Sequence, residues 1–174
     1  MRVSPINNRC HNPAIWYRSH WERNDDWIVE LTDKEIEELE EAVRGSRKIP
    51  IPKLSPELFV LPRLGLRIRE LQRELVFGRG FVLLRGIPVL KWSREMSVRA
   101  YYGIGCHLGV PVSQNAQGHL LGHIIDLGLD PMDPLNRIYQ TRYRHHFHTD
   151  SADIVGLLCL QTARRGGESS ICSS

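Results

Sequence analysis

Residues 145 to 150, His-His-Phe-His-Thr-Asp, put three imidazoles and a carboxylate within six positions, all groups that bind a divalent cation. As an extended segment, this run has period-two alternation that brings His146, His148 and Asp150 to one face and turns His145, Phe147 and Thr149 to the other. Extended residues i and i+4 lie about 13 Å apart, at roughly 3.3 Å per residue, while metal–ligand bonds are only about 2 Å, so just two of the three can share an ion. His148 with Asp150 offers one imidazole and one carboxylate. A distant second histidine turns that mixture into a facial triad on non-haem Fe(II), leaving three coordination positions open for an oxidisable chelate and dioxygen. Taken alone, H-x-D also describes a polar strand end.

The elements that must position these residues are legible at several points. In "TDKEIEELEEAVRG", Thr32 and Glu35 form a capping box, Ile36, Leu39 and Val43 share a face, and Gly45 ends the helix. "KIPIPKLSPELFVLP" reads as a proline-punctuated connection. Leu64, Ile68, Leu71 and Leu75 then repeat at helical spacing, with Gly78 as the C-cap. "GFVLLRG", bracketed by Gly80 and Gly86, predicts a short buried strand. Ser93 caps a further helix with Met96, Ala100, Ile104 and Leu108 along one side. Downstream, "GVPVSQ" and "DIVGLLCL" are expected as strands, "SSICSS" as the start of another, "RIYQT" and "HFHTD" as extended, and residues 115 to 136 mostly as loop.

The 174 residues suffice for one domain, and 41% hydrophobic with 25% charged residues is globular usage. The net charge of +3 comes from scattered basic residues such as Arg63, Arg67, Arg69, Arg73 and Arg79, which argues against a nucleic-acid partner. There is no signal-peptide h-region and no apolar run of membrane-spanning length, so the expected setting is cytoplasmic, with no membrane partner. Cys10, Cys106, Cys159 and Cys172 form no C-x-x-C pair and read as reduced packing residues.

"RGFVLLRG" near residue 80, "FHTDSADIVGLLCL" at 147 to 160 and "RRGGESSICSS" at 164 to 174 occur in an order and spacing that resembles the taurine dioxygenase (TauD/TfdA) family, especially its clavaminate-synthase-like branch found in fungi. The resemblance runs from about Trp16 onward. It implies an Fe(II)- and 2-oxoglutarate-dependent dioxygenase that oxidises a C–H bond of a small, anionic substrate while 2-oxoglutarate yields succinate and carbon dioxide. The family's iron-binding H-x-D falls on His148 and Asp150, and the hydroxyl that binds the 2-oxoglutarate carboxylate falls on Ser169, with Ser170 adjacent. The implied fold is α+β: a mainly helical part over residues 1 to 78, then the first strands of a double-stranded β-helix, a jelly roll, over 79 to 174.

His146 is then read as a neighbour of the site rather than a ligand, and His145 as pointing away. His119 and His123 have i,i+4 spacing that chelates only on a helix, and Gly118 and Gly122 argue for a loop instead. Gln114 and Asn115 fit either a substrate contact or a turn. A cupin is the nearest rival, through His146-x-His148 followed by Asp153, but Gln140 stands where its glycine is expected and Asp replaces Glu. Only 24 residues follow Asp150, and no histidine is among them. The distal histidine and the basic 2-oxoglutarate clamp of the family therefore have no counterpart here. The expectation is the first half of such an enzyme, the other possibility being a truncated copy that no longer turns over.

Overall fold

A computed structural model describes residues 12 to 173. Cys10 lies outside them. Four helices and two strands follow one another: α1 (Arg18–Trp21), β1 (Ile28–Glu30), α2 (Asp33–Gly45), α3 (Leu64–Phe77), β2 (Leu83–Arg85) and α4 (Arg94–Leu108), with single 3-10 turns at Ile51–Lys53 and Ile138–Gln140. The architecture is α+β.

α2 starts where the capping box requires it. The Thr32 hydroxyl accepts the Glu35 N–H at 3.3 Å, and the Glu35 carboxylate accepts the Thr32 N–H at 2.8 Å. Two donors that the first turn leaves without helical partners are thereby satisfied. Leu39 and Val43 bury the inner face. α3 is capped from outside: the Glu38 carboxylate of α2 accepts the N–H groups of Arg63 and Leu64, both at 3.0 Å, where the helix dipole favours negative charge. Gly78 is the C-cap, as the spacing predicts, but with φ −103° it is not the left-handed residue expected there. Its lack of a Cβ matters for another reason, since one would press on the Glu74 carbonyl and carboxylate. The left-handed glycine is Gly80, φ +84°.

α4, capped by Ser93 through the Met96 N–H at 3.2 Å, buries more than the predicted stripe. Ala100 and Ile104 are joined by Ser97, Arg99, Tyr102, Gly103 and Cys106. The Arg99 guanidinium donates to the carbonyls of Ser46 and Ile49 at 2.9 and 2.8 Å, tying the end of α2 to α4. Gly103 leaves room for the Phe59 ring, which is fully buried. The proline-rich connection is thus more than a tether: Leu54, Phe59 and Leu61 are core residues with Leu39, Val43, Leu64, Ile68, Ala100 and Ile104. His107 Nε2 donates to the Phe59 carbonyl at 2.7 Å and holds that loop against α4.

The sheet differs from expectation. β2 pairs in parallel with β1, Val29 opposite Leu84, a strand too short to show alternation in the sequence. With one neighbour only, β2 is not the buried strand predicted: Leu83 and Arg85 are exposed and Leu84 is half-buried. Among the described residues the strands expected at "GVPVSQ", "DIVGLLCL" and "SSICSS" do not form, and in "RIYQT", expected as extended, Ile138–Gln140 is a 3-10 turn. A strand needs a neighbour to take its N–H and C=O groups, and among the described residues β1 and β2 are the one such pair. Beyond Cys106 no described residue is buried. Among the described residues, no helix is long and apolar enough to cross a membrane.

Candidate metal centre

The segment that carries the histidines leaves the core at the end of α4 and is tied back to the earlier part of the chain at three places. Leu120 and Leu121 pack against the core cluster. Gly156, in the apolar run after Asp150, lies so close to the Tyr101 hydroxyl of α4 that a Cβ there would sit 2.9 Å from it. Burial raises the Tyr101 phenol above its ordinary pKa, so it stays a neutral hydroxyl. Ser173 donates to the Ala14 carbonyl at 2.7 Å, closing the segment onto the stretch before α1.

Between these anchors the chain bends at Phe147. His148 and Asp150 come together, with Nε2 and Oδ1 3.9 Å apart and both side chains about half exposed. His148 Nδ1 lies 2.8 Å from the His146 carbonyl oxygen. A carbonyl can only accept, so Nδ1 donates to it, and Nε2 is the nitrogen turned to the side of Asp150. A backbone carbonyl holding one nitrogen while the other stays free is the usual arrangement of a metal-binding histidine. Two donors on one ion at right angles stand about 3 Å apart for bonds of roughly 2.1 Å, so a small turn of either exposed side chain closes the pair. The pair fits two positions of an Fe(II) ion. Among the described residues no set of three His, Cys, Asp or Glu side chains is already gathered for a metal.

His145 departs from the sequence reading. Alternation turns it away, but the bend breaks alternation, and its ring lies against that of His148 with centroids 4.2 Å apart and planes at 59°. His146 contributes its carbonyl. Strict period two hid this contact, and the one available signal was the density of three histidines in four residues.

His119 and His123 stand in a loop, as their glycine neighbours require. His119 Nδ1 is 2.9 Å from Asn115 Nδ2, and His123 Nδ1 is 3.2 Å from the Arg94 guanidinium. Asn115 Oδ1 accepts the N–H groups of Gln117 and His119, both at 3.1 Å, while Gln114 Nε2 donates to the Val112 carbonyl. Gln114 and Asn115 are therefore committed to the turn. Ser169 and Ser170 are exposed, and no hydrogen bond links either to the His148 cluster among the described residues. Gly166 and Gly167 before them have φ +71° and +79°, a consecutive left-handed pair for which glycine is suited.

Residues 47–174 match the family model described as "Taurine catabolism dioxygenase TauD, TfdA family". The chain is 30% identical over 176 residues to the taurine hydroxylase-like protein SAT17 of Stachybotrys chartarum, covering 95% of this chain and 46% of that protein. It is 29% identical over 164 residues to FR-33289 synthase of Streptomyces rubellomurinus, covering 92% of this chain and 48% of that one. The chain thus spans about half the length of the curated relatives it matches. The match takes in α3 and α4 of the core, the H-T-D element and the Gly-Gly turn together, and by it the chain belongs to the TauD/TfdA family of dioxygenases.

Proposed function

We propose that the chain carries part of the active site of an Fe(II)- and 2-oxoglutarate-dependent dioxygenase, with His148 and Asp150 as iron ligands. One observation carries the reading: His148 Nδ1 is engaged by the His146 carbonyl, which turns Nε2 toward the Asp150 carboxylate 3.9 Å away. When bound, iron and 2-oxoglutarate supply oxidation of a substrate C–H bond by dioxygen, one oxygen atom entering the substrate and the other the succinate left after loss of carbon dioxide. The Ser169 hydroxyl, after the Gly166-Gly167 turn, donates to a 2-oxoglutarate carboxylate oxygen. The substrate is a small organic anion, and the setting is cytoplasmic. The segment from residue 79 contributes the first strands of a jelly roll within one domain that includes the helical part. Its apolar run 153 to 160 takes up strand geometry when neighbouring strands supply partners for its backbone.

Anaerobic titration of the protein with Fe(II) tests the ligand pair. His148→Ala and Asp150→Ala are expected to weaken iron binding at least about ten-fold, and His146→Ala, which keeps the carbonyl, to leave it within roughly two-fold. Loss of iron in His146→Ala with His148→Ala unaffected overturns the assignment. A second reading, a member of the family without turnover of its own, is favoured by the absence of a gathered third donor among the described residues.

A further inference from the structure

We propose that a cleft between the α1 region and the end of α3 binds a small zwitterion, a molecule that carries a carboxylate and an ammonium group side by side, as a free amino acid does. The cleft has a volume of about 230 Å3 and is lined by Pro13, Trp21, Asn24, Asp26, Glu74 and Arg79. None of these residues belongs to the His148–Asp150 segment, so the inference does not depend on the metal reading. A pair of donors points to a ligand. Trp21 Nε1 and Arg79 Nη1 are shielded from solvent and have no hydrogen-bond partner among the described residues. Buried N–H groups are ordinarily paired, because a donor kept from both water and protein acceptors forfeits its hydrogen bond. Trp27 Nε1 is also buried without a partner but does not line the cleft. Two orphan donors from residues that share one cleft call for an acceptor bound in it.

The frame around the donors is well braced. The Phe81 ring lies 5.0, 5.2 and 5.9 Å from those of Trp16, Trp21 and Trp27, and Trp16 Nε1 donates to the Arg79 carbonyl at 3.0 Å. Arg79 Cζ stands 5.3 Å from the centre of the Trp21 ring, a cation–π contact, while its Nε donates to the Glu74 carboxylate at 2.7 Å. The Arg79 backbone and side-chain N–H groups hold the Glu74 carboxyl below its ordinary value, so it is ionised at neutral pH and balances the guanidinium. Asp26 is exposed and adds a second carboxylate to the lining. One guanidinium and two carboxylates leave the cleft with one net negative charge. A lone anion is therefore repelled, and a lone cation leaves both donors unpaired. A zwitterion meets both demands: its carboxylate accepts from Trp21 Nε1 and Arg79 Nη1, and its ammonium donates to Asp26. The volume, below the roughly 300 to 1,000 Å3 of drug-sized sites, suits a ligand of this size.

L-alanine is the probe, with acetate and methylammonium as its two ends taken separately. Tryptophan fluorescence of the dilute 174-residue chain reads the binding, because three of the four tryptophans share the Phe81 cluster. L-alanine is expected to change the emission saturably, and acetate or methylammonium at the same concentration to leave it unchanged. Asp26→Asn, an exposed substitution that keeps every tryptophan, should weaken L-alanine binding roughly five-fold or more. Arg79→Lys, which keeps the charge beside Glu74 but not the second donor, should weaken it as well, with helical ellipticity confirming that each variant is folded. Trp21→Phe, which keeps an aromatic ring and removes the N–H, should abolish the response. No saturable response to L-alanine means that solvent alone meets the two donors, and overturns the inference. So does an equal response to acetate or to methylammonium, undiminished binding in Asp26→Asn, or a full response in Trp21→Phe, which would place the ligand elsewhere.

Discussion

At the scale of single residues, chemistry in this chain depends on which lone pairs and hydroxyls are left free. The orientation of His148 is set by its neighbour's carbonyl, which holds Nδ1 and turns Nε2 toward Asp150. Ser169 is placed differently: two consecutive left-handed glycines turn the chain just before it and leave its hydroxyl exposed. A neutral hydroxyl donating to a carboxylate is worth about 1.5 to 3 kcal/mol, so Ser169→Ala should raise the 2-oxoglutarate requirement roughly ten-fold or more. Iron affinity, which the hydroxyl does not serve, should barely move. Measuring half-saturation by 2-oxoglutarate in the iron-loaded protein checks this, and an effect confined to Ser170→Ala instead would move the role by one residue.

At the scale of elements, the entry to α2 joins three parts of the core. Burial by itself would raise the Glu35 pKa, but the Thr32 N–H and hydroxyl and the Arg67 guanidinium outweigh it and hold Glu35 below the ordinary 4.5. Arg67 reaches the same carboxylate from α3 at 2.7 Å and also donates to the Glu30 carbonyl at the end of β1. A carboxyl depressed in the fold contributes stability in full above its unfolded pKa and loses it as pH falls through the folded value. Glu35→Gln keeps the capping geometry and removes the charge. It should therefore be less stable than the parent at pH 7, the gap narrowing as pH drops below about 4.5. Urea midpoints followed by helical ellipticity at several pH values check this, and a gap constant with pH would refute it. Thr32→Ala, which removes the cap itself, should cost about 1 kcal/mol across that range. α2, α3 and α4 were legible in the sequence because their signals are local: a cap and an apolar face for α2 and α4, an apolar repeat ending at Gly78 for α3, whose N-terminal cap, Glu38 of α2, was not. The strands were not, because a strand is specified by a partner elsewhere in the chain. Nothing in "IVE" announces that it lies beside "LLR". Phe59 was hidden for a related reason, since prolines mark a connection but do not say whether it crosses the surface or fills the space left by Gly103. The H-x-D pair could be found from spacing, whereas the His145 contact could not, because it depends on a bend that alternation assumes away.

At the scale of the whole molecule, two regimes of packing meet at the end of α4. Up to Leu108, three helices and the Phe59 loop enclose a core in which Leu39, Phe59 and Leu64 have no solvent exposure. From Val110 onward, apolar side chains are common but uncovered, Val110 at 90% and Leu135 at 88% exposure among them, with Val155, Leu157 and Ile171 more than half exposed. Apolar surface of this kind drives association, and backbone N–H and C=O groups without ladder partners invite pairing with another chain. The 174 residues by themselves are therefore expected to associate in a concentration-dependent way while the helical part keeps its ellipticity, as size exclusion with light scattering over a dilution series would register. Catalysis makes a separate demand. Oxidation by the family's chemistry needs 2-oxoglutarate chelated and oriented and water kept from the open coordination positions, and an exposed loop encloses nothing. Succinate formation by this chain with Fe(II), ascorbate and 2-oxoglutarate should accordingly not exceed that of free iron. A dilution-independent monomer that forms succinate well above that background would refute both expectations, and would mean that residues 110 to 173 cover themselves and close a site in solution.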